Sequence, residues 1–122
     1  MGTIEFIHGR VAYALMLYML VVGLWGLGAF FGKRTVQPSY LSALLLGELM
    51  IVVQAVLGAL MLGGGVAPAN PMHYLYGFTA AIALPLAYSY NQGRNDRKAL
   101  LIYAIVCLFA FGAGVRATTT AG

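Results

Sequence analysis

The chain is 122 residues long, 61% hydrophobic and only 8% charged, with a mean hydropathy of +0.86. A water-soluble domain of this length cannot bury so much apolar surface, so composition excludes a soluble globular fold and makes the lipid bilayer the solvent. The net charge of +4 comes from a few residues between apolar runs, which argues for membrane orientation and against nucleic-acid binding.

Four apolar segments are readable within one domain spanning residues 1–122: residues 4–31, 40–62, 72–90 and 99–115. Each is close to the ~20 residues that a helix needs to cross the hydrocarbon. The first is too long for the apolar core of a signal peptide and lacks a basic start. Lys33 and Arg34 follow it, so it is expected to remain as a span. The connectors 32–39, 63–71 and 91–98 are short, and short links join antiparallel neighbours. The expected fold is therefore an all-α integral membrane protein, an up-down-up-down bundle of four transmembrane helices. Pro38 and Pro71 sit where helices start and an absent amide proton costs little, while Pro85 falls inside the third span and predicts a kink there. The lone Cys107 lies in an apolar run without a partner for a disulfide.

Orientation follows from the seven basic residues. Lys33, Arg34, Arg94, Arg97 and Lys98 occupy the first and third connectors; only Arg10 and Arg116 fall on the other side. The positive-inside rule then puts both termini outside the cytoplasm, with the inner membrane of a bacterium as the expected location. Phe30, Phe31, Tyr40, Tyr88 and Tyr90 on one side, and Tyr74 and Tyr76 on the other, read as interfacial aromatics.

The chain has two histidines, one in Glu5-Phe6-Ile7-His8-Gly9-Arg10 and one in Pro71-Met72-His73-Tyr74. Each opens a span that begins outside, so His8 and His73 are expected at one depth. In a cyclic four-helix bundle the first and third helices stand diagonally, which suits two axial nitrogens on opposite faces of one metal-centred ring. Ala12 and Gly77 each lie four residues on, one turn deeper on the same helix faces, and leave room for a flat macrocycle. These residues point to one b-type heme per chain with His8 and His73 as iron ligands. Covalent attachment is excluded, since no Cys-x-x-Cys-His run is present. Arg10 and Arg116 are the basic residues on the outer side and are candidate partners for the heme propionates; the alternative is that each marks a helix end at the interface. The alternative for the histidines is likewise interfacial. A zinc site is disfavoured, because two histidines with few carboxylates or thiols fall short of the usual ligand set.

Two further groups lie in the second span. Glu48 is near its middle, where an ionised carboxylate costs at least ~2.5 kcal/mol, so it is expected to face the bundle interior or a partner. Gln54 lies further outward, within reach of another helix or of a heme, and Gly47, Gln54 and Gly58 make a small, polar stripe expected to pack inward. Gly28-x-x-x-Gly32 and Ala110-x-x-x-Gly114 are candidate close helix contacts.

The run Glu5-Phe6-Ile7-His8 resembles the Glu-x-x-His motif of the heme A synthase family, whose members oxidise a methyl group of heme O. Gln54-Ala55-Val56-Leu57-Gly58 is similar to that family's Gln-x-x-Leu-Gly, and His73 falls where the family has its second heme histidine. The resemblance covers nearly the whole chain, aligned with one of the family's two four-helix halves. It implies a heme-handling role and makes Glu5 the counterpart of a carboxylate implicated in the chemistry, beside its plain reading as a charge in a first helical turn. Gly9 stands where the family commonly has arginine, displacing Arg10 by one. A single half would need a homodimer or a partner for the full reaction. Electron transfer as a small subunit of a respiratory or photosynthetic assembly is the expected function, with membrane redox subunits as partners. The competing expectations are a half-size heme A synthase-like homodimer and a heme-free accessory subunit.

Overall fold

A computed structural model describes residues 2–121. It is all-helical: α1 (Gly2–Phe31), α2 (Pro38–Gly63), α3 (Met72–Asn91) and α4 (Arg97–Ala121). Three of them, α1, α2 and α4, are long and apolar enough to cross a membrane. The third is 20 residues long, which at 1.5 Å per residue is about 30 Å. Its histidine, threonine, serine and tyrosines make it less apolar than the others. Many Leu, Val, Ile and Phe side chains are exposed on the bundle's outside, as expected where the surroundings are lipid.

Backbone hydrogen bonds fix which ends meet. The first and third connectors join through the Val36 amide, which donates to the Asn95 carbonyl at 3.0 Å, and the Arg97 guanidinium, which donates to the Phe30 carbonyl at 2.8 Å and lies over the Phe30 ring. At the opposite end, the amides of Ala69 and Asn70 donate to the carbonyls of Ala121 and Thr120. The basic connectors thus share one end, and the start of α1, the middle connector and the end of α4 share the other. Neighbours follow chain order around the ring, while α2 and α3 touch least and α1 and α3 stand diagonally.

Helix bounds depart from expectation mainly in α4, which runs to Ala121 rather than stopping at Val115. The Thr118, Thr119 and Thr120 hydroxyls donate to carbonyls of the preceding turn, and the middle connector takes up the last free carbonyls, which keeps a polar segment helical. Arg116 therefore lies within α4 rather than ending it. At the basic end, Asp96 caps α4 by accepting from the Ala99 amide at 2.8 Å.

Packing is uneven along the bundle. The buried core, which includes Met19, Val22, Tyr40, Leu84, Ala87, Leu100, Tyr103 and Cys107, fills the half nearer the basic connectors. Without water to drive apolar groups together, small residues and interhelical hydrogen bonds hold such a bundle. A Cβ at Gly23 would run into Leu108, and one at Gly26 into the Tyr40 hydroxyl and the Ala104 methyl, so these glycines let α1 close on α4 and α2. Gly28, by contrast, has open space beside it, so the expected Gly28/Gly32 contact is replaced by one at Gly23 and Gly26. The Tyr18 hydroxyl donates to the Ala43 carbonyl at 2.6 Å and the Tyr40 hydroxyl to the Val22 carbonyl at 3.1 Å. Tyr40 is thus a core residue, 2% exposed, and not the interfacial aromatic that its position beside a connector suggested.

Candidate functional site

At the other end the four helices do not close. A cavity of about 600 Å³ lies between them, within the size range of cofactor sites. Its walls include His8, Ala12 and Met16 from α1, Gln54 and Gly58 from α2, His73 and Gly77 from α3, and Ala110, Gly114 and Ala117 from α4. Ala55 and Ala59 of α2 and Gly77 and Phe78 of α3 line it while exposed to the outside, so it opens along the seam between those helices.

His8 and His73 meet across this cavity, ring centroids 6.3 Å apart and planes at 63°. A metal–imidazole bond is about 2 Å. Adding each ring's own radius, two imidazoles that share one ion stand with centroids on the order of 6 Å apart. The spacing is that of an edge-to-face ring pair, and it is also the spacing at which two imidazoles can share one ion.

Each histidine is contacted by the helix that follows its own. The His73 Nδ1 lies 2.7 Å from the Ala117 carbonyl on α4. A carbonyl only accepts, so Nδ1 carries the hydrogen and Nε2 keeps the lone pair that a metal needs. The Thr120 Oγ1 is 3.5 Å from the same nitrogen. On the other side, the Gln54 Nε2 donates to the His8 backbone carbonyl at 2.8 Å, and Gly58 lets the His8 ring lie close to α2. The His8 Nδ1 and the Gln54 Oε1 are both buried without a hydrogen-bond partner.

Of the residues singled out in sequence, the fold gathers His8, His73, Ala12, Gly77 and Gln54 on one cavity. Arg10 and Arg116 are exposed; their guanidinium groups lie over Phe6 and Tyr76, 5.1 and 5.7 Å from the ring centroids, and neither lines the wall. Glu5 is exposed in the first turns of α1 and does not line it either. Glu48 is half-buried with Oε1 unpartnered, away from the cavity. The Ala117 carbonyl was not legible in the sequence, because every residue has one. Gly114 carried a signal as part of Ala110-x-x-x-Gly114, and it both touches Met16 and forms part of the wall.

Among the described residues no group of three or more His, Cys, Asp or Glu side chains could hold a metal ion, so a metal here would have to bring most of its own ligands. A tetrapyrrole iron does so, and needs two protein nitrogens. The lone pair left on His73 Nε2, the His8 ring facing it and an apolar cavity of this volume fit that group. No protein-family model, no curated protein and no solved structure matches the chain.

Proposed function

We propose that this chain is an integral membrane protein that holds one b-type heme between His8 and His73 and serves in electron transfer. The observation that carries this is the 6.3 Å spacing of the two imidazoles across a cavity of about 600 Å³. A bound heme supplies one-electron exchange at its iron. The protein's part is to present two imidazole nitrogens, to keep the His73 proton on Nδ1 through the Ala117 carbonyl, and to leave room beside each ligand at Ala12 and Gly77. Apolar walls keep water from the ring and hold the local dielectric low, which sets the potential together with the hydrogen bonds behind the ligands. With His8 and His73 both holding it, a bound heme would supply outer-sphere electron transfer rather than chemistry at an open iron site.

All four helices cross the membrane in this reading, α3 being just long enough. Both termini and the cavity lie on the non-cytoplasmic side, because five of the seven basic residues occupy the two connectors and the first turn of α4 at the far end. The setting is a bacterial inner membrane, with redox subunits of a respiratory or photosynthetic assembly as partners. A half-size heme A synthase-like homodimer is less well supported, since it would need Glu5 at the reacting methyl and Glu5 does not line the cavity.

Absorption spectroscopy of the purified protein supplied with hemin tests the proposal. Dithionite should produce the sharp alpha band of low-spin heme b at one heme per chain, and His8→Ala and His73→Ala should each abolish it. A folded wild-type protein that stays colourless would sink the heme reading and leave a structural accessory subunit.

A further inference from the structure

The two halves of the site are built alike in all but one bond. His73 stands near the start of α3, and its Nδ1 is held by a group 44 residues on, in α4. His8 stands near the start of α1, and the residue that reaches it, Gln54, lies 46 residues on, in α2. In each half the helix that follows the histidine turns back and supplies the contact. Around His73 the hydrogen bond behind the ring is closed. Around His8 it is open, with an unpaired ring nitrogen and an unpaired amide oxygen buried on neighbouring residues.

These two atoms are complementary. The Gln54 amide cannot be turned end for end, because that would set its oxygen against the His8 carbonyl, two acceptors at the 2.8 Å now spanned by Nε2. Its oxygen is thereby fixed as the free end. A neutral imidazole carries one N–H; placing it on Nδ1 turns the Nε2 lone pair to a ligand and leaves a hydrogen in need of an acceptor. Gln54 Oε1 is the unpaired side-chain acceptor on the residue that already holds His8.

We propose that Gln54 is the positioning residue for His8: its Oε1 accepts the His8 Nδ1 hydrogen through one bridging water, and so sets the tautomer in which Nε2 faces the cavity. It does for α1 what the Ala117 carbonyl does for α3. The assignment rests on the proposed heme site for its purpose, but the tautomer is a property of the apoprotein. Partners behind a metal-bound imidazole fix ring orientation and basicity, and their loss typically weakens metal binding by ~10–100-fold.

Two measurements separate this inference from the heme reading. In the apoprotein labelled with 15N-histidine, at a pH where both rings are neutral, His8 and His73 should both show the Nδ1–H tautomer. Gln54→Met, which removes both hydrogen-bonding ends at similar size, should disturb the His8 signals and leave those of His73 unchanged. In the hemin-loaded protein, Gln54→Met should weaken hemin retention by ~10–100-fold. Gln54→Glu, which keeps an acceptor for Nδ1 but replaces the donor to the His8 carbonyl, should retain the low-spin spectrum with a shifted reduction potential. If Gln54→Met does not fold, the wild-type tautomers and the Gln54→Glu potential still decide. A wild-type His8 in the Nε2–H form, or an unaltered potential in Gln54→Glu, would overturn the role of Gln54 with the heme reading intact. A wild-type protein with the expected tautomers that takes up no hemin would do the reverse.

Discussion

The site is made by absences of side chain as much as by imidazoles. Gly77 lines the cavity, and a Cβ built there meets nothing within 4 Å. Gly77→Phe should therefore fill the cavity without forcing α3 from its neighbours, and replacing a helical glycine removes a local penalty of about 1 kcal/mol. The expected outcome is at least a tenfold loss of hemin affinity with no fall in thermal stability, whereas Gly77→Ala should bind normally; equal binding by the Phe variant would show that the ligand sits elsewhere. This part of the site was legible because a histidine and a small residue four positions on share a helix face whatever the tertiary structure. The Ala117 carbonyl was illegible for the opposite reason: a backbone acceptor has no residue type to announce it. Arg10 and Arg116 were placed at the cavity end by their position near the ends of spans, but sequence does not say which way an arginine turns, and each guanidinium lies over an aromatic ring, Phe6 or Tyr76, without lining the cavity itself.

Among the elements, α1 carries most of the architecture. It meets α4 through Gly23 and Gly26 and is tied to α2 by the Tyr18, Tyr40 and Gln54 hydrogen bonds. Such bonds inside a membrane bundle average only ~0.6 kcal/mol, so close approach at the glycines is the more sensitive feature. Gly26→Val would drive a branched side chain against Tyr40 and the Ala104 methyl; overpacking of this kind costs about 1–3 kcal/mol. Unfolding in mild detergent by sodium dodecyl sulfate should show that loss, with Gly28→Val near wild type. The four helices themselves were readable from apolar length alone. What sequence missed was which glycines touch, since a four-residue spacing recurs by chance in a chain with 16 glycines. The last turns of α4 were also missed, because their threonines lower the apolarity while their hydroxyls satisfy the helix's own carbonyls.

For the molecule as a whole, the distribution of charge and of packing coincide: the basic connectors cap the tightly packed half, and the cavity lies at the sparsely charged end. Orientation is testable because Cys107 is fully buried, 0% exposed, and should stay silent to a membrane-impermeant maleimide. Ala69→Cys, in the middle connector, should label in intact cells with the outer membrane made permeable. Thr35→Cys, in the first connector, should label only after the inner membrane is opened. The reverse pattern would place the cavity on the cytoplasmic side. The expected sidedness comes from seven residues; the unevenness of the core was not legible, since it depends on which side chains meet across the bundle.

The seam between α2 and α3, where these helices touch least, bears on what completes the protein. A gap facing hydrocarbon does not stay vacant, because dispersion contacts forgone by its walls are recovered by whatever can fill it. In a bilayer, acyl chains lying against Ala55, Ala59 and Phe78 would serve as the cavity's remaining wall. Extraction into detergent exchanges that wall for another material, and the stiffness and polarity felt at His8 and His73 then depend on the amphiphile that encloses the bundle.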